Sequence, residues 1–267
     1  MFLTESNYHS LEANKEYLSV SQYKSFCGTL GRAGCEEKAL ATINGEWEDP
    51  ITLPMLIGSY VDSHFEGTLD LFKMKNPEIF KKRTPELKMA FQKAEEIIQR
   101  IERDEFFMLY MSGQKQTILT AGMFGAKWKA KMDSYHPDKC IVDLKVVKNI
   151  HEKFWIRDLG YHISFIEYWA YDLQLAIYQA VEEKKSKKKI PCFIAAADKT
   201  NYPDIELIGI EQYRLDEAMQ DVERNTQRIL KLKAGKVKPI RCGICDYCKH
   251  TKVLTAPISC ETLIEGF

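Results

Sequence analysis

Residues 126–147, AKWKAKMDSYHPDKCIVDLKVV, decide the fold. In 126–133 lysines alternate with Trp128, Ala130 and Met132, the period of a strand with two different faces. IVDLKVV at 141–147 is an apolar run of the length of a buried strand, and His136-Pro137-Asp138-Lys139 between the two has the composition of a tight turn. QTILTAGMFG at 116–125, closed by Gly125, adds a strand in front, so 116–147 reads as a three-stranded meander.

Working outward, residues 164–184 return to helical spacing, 190–198 (IPCFIAAAD) and 204–211 (DIELIGIE) read as strands, and 213–233 as a long charged helix. Upstream, SVSQYKSF and CEEKALATI read as short helices, the first capped by Ser19 or Ser21, and Pro54 to about Phe72 as another. Thr84-Pro85 predicts a helix start, and Leu87, Phe91, Ala94, Ile98 and Ile101 give residues 84–104 an apolar stripe. The expected fold is α/β, a central mixed sheet flanked by helices.

With 267 residues, 45% of them hydrophobic, the chain is long enough for one domain with appendages: a helical segment over 1–50, a core over 51–235 and a cysteine-rich tail over 236–267. Lys+Arg and Asp+Glu are both 38, so no overall basic field exists. Any nucleic-acid contact must then come from local clusters or bound cations. Lys127, Lys129 and Lys131, on one side of the strand leading to Asp133, would form a phosphate track; KKRTP at 81–85 adds local charge, and EEKKSKKKI at 182–190 reads as a solvated loop. The amino-terminal stretch has no basic start followed by an apolar run, and nothing approaches the roughly 20 apolar residues of a membrane span. A cytoplasmic location is expected, with its eight cysteines reduced.

Asp143 and Lys145, two apart on one strand, point the same way, and hairpin pairing brings Asp133 beside them. Bare carboxylates among Ile141, Val142, Leu144, Val146 and Val147 are costly to desolvate. A divalent Mg²⁺ or Mn²⁺ removes that cost, and Lys145 would orient or deprotonate the attacking water. Gln174 and Tyr178 lie four apart on one helical face, and Gly58-Ser-Tyr-Val-Asp62 places a further carboxylate four residues after a glycine, with His64 two beyond.

In this order the motifs resemble the PD-(D/E)XK nuclease superfamily, in particular the RecB- and RecE-type recombination exonucleases, over about residues 19–260. That branch shows G-x-x-x-H on a helix, an Asp at a strand end, (D/E)-x-K on the next strand and Q-x-x-x-Y on the following helix. The resemblance implies a DNA exonuclease of phage-type recombination or repair. Asp133 and Asp143 would ligate metal, Lys145, Gln174 and Tyr178 would serve catalysis and the DNA channel, and Gln116 would face the site. Here Asp62 stands where the histidine is expected, and either Asp62 or His64 would join the metal site. A phage single-strand annealing protein as partner and a ring-shaped homo-oligomer belong to the same expectation. The alternative is a catalytically weak or inactive nucleic-acid-binding protein on the nuclease fold, with a structural zinc.

Cys242, Cys245 and Cys248, at two successive C-x-x-C spacings, can direct thiolates at one centre. Cys260, His250, Cys35 and Cys27 are candidates for a fourth ligand. Similarity to AddB-type and CRISPR-associated RecB-like nucleases, which carry one cysteine before the G-x-x-x-H helix and three at the carboxyl end, implies Cys35 and a [4Fe-4S] cluster; structural Zn²⁺ is the alternative. Cys140 and Cys192, in apolar strands, read as core thiols.

Overall fold

The computed structural model describes residues 1–263; the last four positions of the expected tail, 264–267, lie outside the described residues. The expected meander is β1 (Gln114–Met123), β2 (Ala126–His136) and β3 (Cys140–Val147), followed by β4 (Cys192–Asp198) and β5 (Ile205–Gly209). They form one mixed sheet in the order β1-β2-β3-β4-β5, antiparallel except for the β3–β4 pair. Phe124 and Gly125 turn β1 into β2 with φ of 54° and 80°, the positive values that a two-residue hairpin needs to match the strand twist.

Helices α1 (Leu11–Glu16), α2 (Val20–Cys27), α3 (Glu36–Asn44), α4 (Leu53–Glu66), α5 (Met89–Glu102), α6 (Tyr171–Ser186), α7 (Gln212–Lys233) and α8 (Asp246–His250) surround the sheet, with shorter turns between them. Ser19, not Ser21, caps α2, accepting the Gln22 N–H at 3.3 Å. Two cores sandwich the sheet. Ile141, Val147, Ile194 and Ala196 face α2, α3, α6 and α7, whereas Val142, Leu144, Ala195 and Ala197 face α4 and α5. No helix among the described residues is long and apolar enough to cross a membrane.

Three helical expectations need correction. The stripe over 84–104 is helical only from Met89, because residues 79–88 fold back on themselves: Lys88 N–H donates to Ile79 O at 2.9 Å, Lys81 N–H to Glu86 O at 2.8 Å, and Leu87 bridges to Phe80. Proline disfavours helical backbone at the preceding Thr84, and this loop supplies the alternative partners. The helix from Pro54 stops at Gly67, whose φ of 77° gives it a left-handed cap, and Leu69–Lys75 is a separate turn. Residues 164–184 split at Ala170, φ 52°, into Phe165–Tyr168 and α6.

The centre of the sheet carries the stability. Replacing Ile194, with no exposed surface on β4, by Ala should cost about 2–5 kcal/mol in urea unfolding. Phe106→Ala, at a side chain 63% exposed, should change the midpoint little.

Candidate active site

β2 and β3 pair at only three positions, Ser134–Val142, Tyr135–Ile141 and His136–Cys140. The next step would set Asp133 against Asp143, and there the ladder stops. Asp133 Oδ2 instead accepts the Leu144 backbone N–H at 2.9 Å, so a side chain replaces the missing strand partner. On the free edge of β2 beyond this point, Leu18 donates to Lys127 O at 2.7 Å and accepts from Lys129 N–H at 2.9 Å. The strands therefore part where the acidic side chains stand.

Asp143 is 1% exposed. Its Oδ1 accepts the Gln174 Nε2–H at 2.8 Å, and the same amide reaches Tyr178 Oη at 3.2 Å, so α6 supplies two of the expected residues as one connected set. Asp143 Oδ2 lies against the Lys145 ammonium yet is a buried oxygen receiving no directed hydrogen bond. The two groups therefore form an ion pair held by charge. Gln116 approaches from β1, its Nε2 donating to Asp133 Oδ1 at 3.4 Å.

Asp62, on α4, feels the charges of Asp133, Lys145 and Asp143. His64 does not join them: its Nε2 is bonded to Glu102 Oε1 of α5 at 2.7 Å. Of the two alternatives on this helix, Asp62 is the residue brought to the site. Burial, then the neighbouring Asp133, holds the Asp62 carboxyl well above the carboxylate range. Burial, then Asp143, raises Asp133 to about 7. Burial opposes the charge on Lys145, but Asp143 and Asp133 outweigh it and keep the amine an ammonium. In this state Lys145 can orient a water or phosphate by donation.

The donor set fits a hard divalent cation. Two carboxylates with suppressed ionisation, Asp62 and Asp133, a buried Asp143 oxygen whose partner is the Lys145 ammonium, and a buried Gln116 Oε1 without a hydrogen bond are all oxygen donors. The carboxylates are not yet gathered as a ligand sphere: among the described residues, only a cysteine set has three or more such ligands within 4.8 Å of one another.

Two further residues sit at the site. Lys24, on α2, donates to Trp169 O at 2.9 Å, and its ammonium lies 5.2 Å from the Tyr171 ring centroid, while Lys145 lies 5.1 Å from the same ring. Burial, then Lys145, pulls Lys24 down to about 7. A cavity of about 810 Å³ begins beside them and runs to Cys35 and Cys242. A lone lysine in an ordinary helix carries no sequence signal; only the αL turn at Ala170 brings Tyr171 and Trp169 to it.

The phosphate track is not present as expected. Lys129 is 1% exposed and donates to Tyr8 O and Asn14 Oδ1, and Lys127 is paired with Glu16 at 2.8 Å. The amino-terminal segment covers that side of the strand.

At the far end of the cavity Cys35, Cys242, Cys245 and Cys248 place their sulfurs within 4.8 Å of one another; Cys35–Cys248 is 3.6 Å and Cys242–Cys248 3.9 Å. Cys27 and Cys260 are exposed, and His250 packs its ring on Trp47, so Cys35 is the residue brought to the three. Burial pushes Cys242 up, but the Cys245 and Ile244 N–H groups bring it down to about 7. Burial, with the thiols of Cys242 and Cys248, drives Cys245 up to about 12. Crowded thiolates of this kind need a cation. Thiolates 2.3 Å from one tetrahedral ion stand about 3.8 Å apart, which matches the spacing here. Four cysteine thiolates are also the ligand set of a [4Fe-4S] cluster. Cys192 is buried, as expected of a core thiol, and Cys140 is half-buried.

A model of the PDDEXK-like domain of unknown function, DUF3799, matches residues 19–251. A solved structure from Eubacterium rectale, of a candidate exonuclease, is 53% identical over 100% of both chains, with a TM-score of 0.96. A second solved structure, SSO0001, is 10% identical over 72% of this chain and 85% of its own, with a TM-score of 0.29. No curated protein matches the sequence.

The suppressed ionisation of Asp133 has a measurable consequence. Its folded value of about 7 exceeds the roughly 4 of an unfolded aspartate, so the native state binds the extra proton. Without divalent metal, the contribution of Asp133 to stability is fully present below about 4 and declines as pH rises towards 7. Urea midpoints of Asp133→Asn, relative to wild type, should therefore improve steadily between these limits; a pH-independent difference would overturn the assignment.

Proposed function

The chain belongs to the PDDEXK-like family DUF3799, and we propose that it is a divalent-metal-dependent DNA exonuclease whose site is built from Asp62, Asp133, Asp143, Lys145, Gln174 and Tyr178. The observation that carries this is the connected set at the parted strands: Gln174 links Tyr178 to Asp143, Lys145 lies on Asp143, and Asp133 and Asp62 add their charge. The exonuclease description of the E. rectale relative supports the mode of cleavage.

Asp62, Asp133 and Asp143 would hold Mg²⁺ or Mn²⁺, which when bound supplies charge neutralisation at a phosphodiester and lowers the pKa of a bound water. Gln174 and Tyr178 fix the Asp143 carboxylate, so it presents its other oxygen without rotating. Lys145 donates from its ammonium towards the non-bridging oxygens or the incoming water, and Lys24 places a second amine beside Tyr171. With Asp62 in the histidine position α4 still offers an oxygen donor, which suits these ions at least as well as imidazole. The order of motifs along the chain supports use in phage-type recombination or repair.

For the cysteines we propose one structural Zn²⁺ held by Cys35, Cys242, Cys245 and Cys248. It would join α3 to α8, alongside the Arg228–Glu36 pair and the 2.9 Å Arg241–Glu37 pair.

Asp143→Ala and Lys145→Ala should each lower Mg²⁺-dependent degradation of linear DNA by about 10³-fold or more while circular dichroism stays unchanged. Covalently closed circular DNA should survive the wild-type enzyme. Endonucleolytic nicking of circles, or wild-type rates in both variants, rules the reading out. Elemental analysis of purified protein should give about one zinc per chain and negligible iron; about four irons with brown absorption would reverse the assignment.

A further inference from the structure

Gln116 sits in the middle of β1, opposite Asp133, between the ladder pairs Lys115–Ser134 and Thr117–Met132. Its φ is +48°, a left-handed conformation that a glutamine inside a strand adopts rarely. Such residues persist where the surroundings over-determine them, and they gather at functional sites. The consequence of this conformation is visible in the side chain. The amide Nε2–H donates to Asp133 Oδ1 at 3.4 Å, while Oε1, on the same carbon, is buried and receives no hydrogen bond. A buried carbonyl oxygen left unpaired is destabilising, so it calls for a donor or a cation. Asp143 Oδ2, on β3 beyond Asp133, likewise receives no directed hydrogen bond, but it has the Lys145 ammonium beside it, whereas Gln116 Oε1 has no such partner.

We propose that Gln116 is a further metal-site residue: its Nε2–H fixes Asp133 and its Oε1 donates a neutral oxygen to the divalent ion. This rests on the metal-dependent nuclease reading above. The chemistry explains the residue type. Asp62, Asp133 and Asp143 already bring three carboxylates near the Lys145 ammonium, which touches Asp143 and acts on the other two only through its charge. A fourth carboxylate would add repulsion, whereas an amide oxygen adds coordination at no cost in charge, and the same amide supplies a donor that a carboxylate lacks.

The test is calorimetric titration of Mn²⁺ into full-length, zinc-loaded protein, with melting temperatures measured in parallel without Mn²⁺. Gln116→Ala should weaken Mn²⁺ binding by about tenfold or more. Gln116→Gly accepts the positive φ without strain, so it should melt no lower than Gln116→Ala and lose the same Mn²⁺ affinity. Asp143→Ala serves as the reference that removes an expected ligand. Wild-type affinity in both Gln116 variants, with binding lost in Asp143→Ala, overturns this inference and leaves the nuclease reading standing. No Mn²⁺ binding by the wild type, or binding unaltered in Asp143→Ala, overturns both.

Discussion

The Leu144 N–H donated to the Asp133 carboxylate holds the arrangement together. A backbone donor at the centre of a sheet must be satisfied, and normally the neighbouring strand does it. Here the neighbour is diverging, and a side chain from that same strand substitutes. The substitution fixes three things at once: where β2 leaves β3, which way the Asp133 carboxylate faces, and how far it stands from Asp143. Gln174 does the equivalent for Asp143 from the helix side. Charged groups in a mostly apolar sandwich are thus oriented by neutral donors belonging to the fold itself, so the proposed chemistry would need little reorganisation.

Two cores sharing one sheet explain why these donors can be rigid. Strand β3 alternates between them, Ile141 and Val147 to one side and Val142 and Leu144 to the other, and the residues between, Asp143 and Lys145, inherit that fixed orientation. Ala195, Ala196 and Ala197 on β4 are fully buried, so β3 is packed closely by backbone and small side chains. Displacing Asp143 would require moving the sheet, not a loop.

Much of this was legible in the sequence. Alternation in AKWKAKMD, the apolar run IVDLKVV and the turn between them determine the hairpin, and the i, i+4 spacing of Gln174 and Tyr178 places both on one helical face, as observed. What was not legible depends on contacts made across the chain. The same alternation that marks β2 suggested that Lys129 faces solvent, yet residues 1–17 fold over it and bury it against Tyr8 and Asn14. The break at Ala170 has no glycine or proline to announce it, and the helix over 84–104 lost its first turn to a local loop that offered its backbone better partners. Spacing and family likeness together single out the four cysteines, but only the sulfur separations speak to the kind of centre they can enclose.

The cysteine set also bears on the order in which the molecule can be assembled. Cys35 lies 213 residues before Cys248, and the ion pairs of Glu36 and Glu37 reach Arg228 and Arg241 from the same short helix. During synthesis, α3 emerges without any of these partners and must wait until the sheet, α6 and α7 have all been made. The last contacts to form therefore belong to the first part of the chain. A chain cut before residue 242 would have its carboxylates and lysine complete but its clasp unformed, so closure of the clasp reports that these distant segments have met.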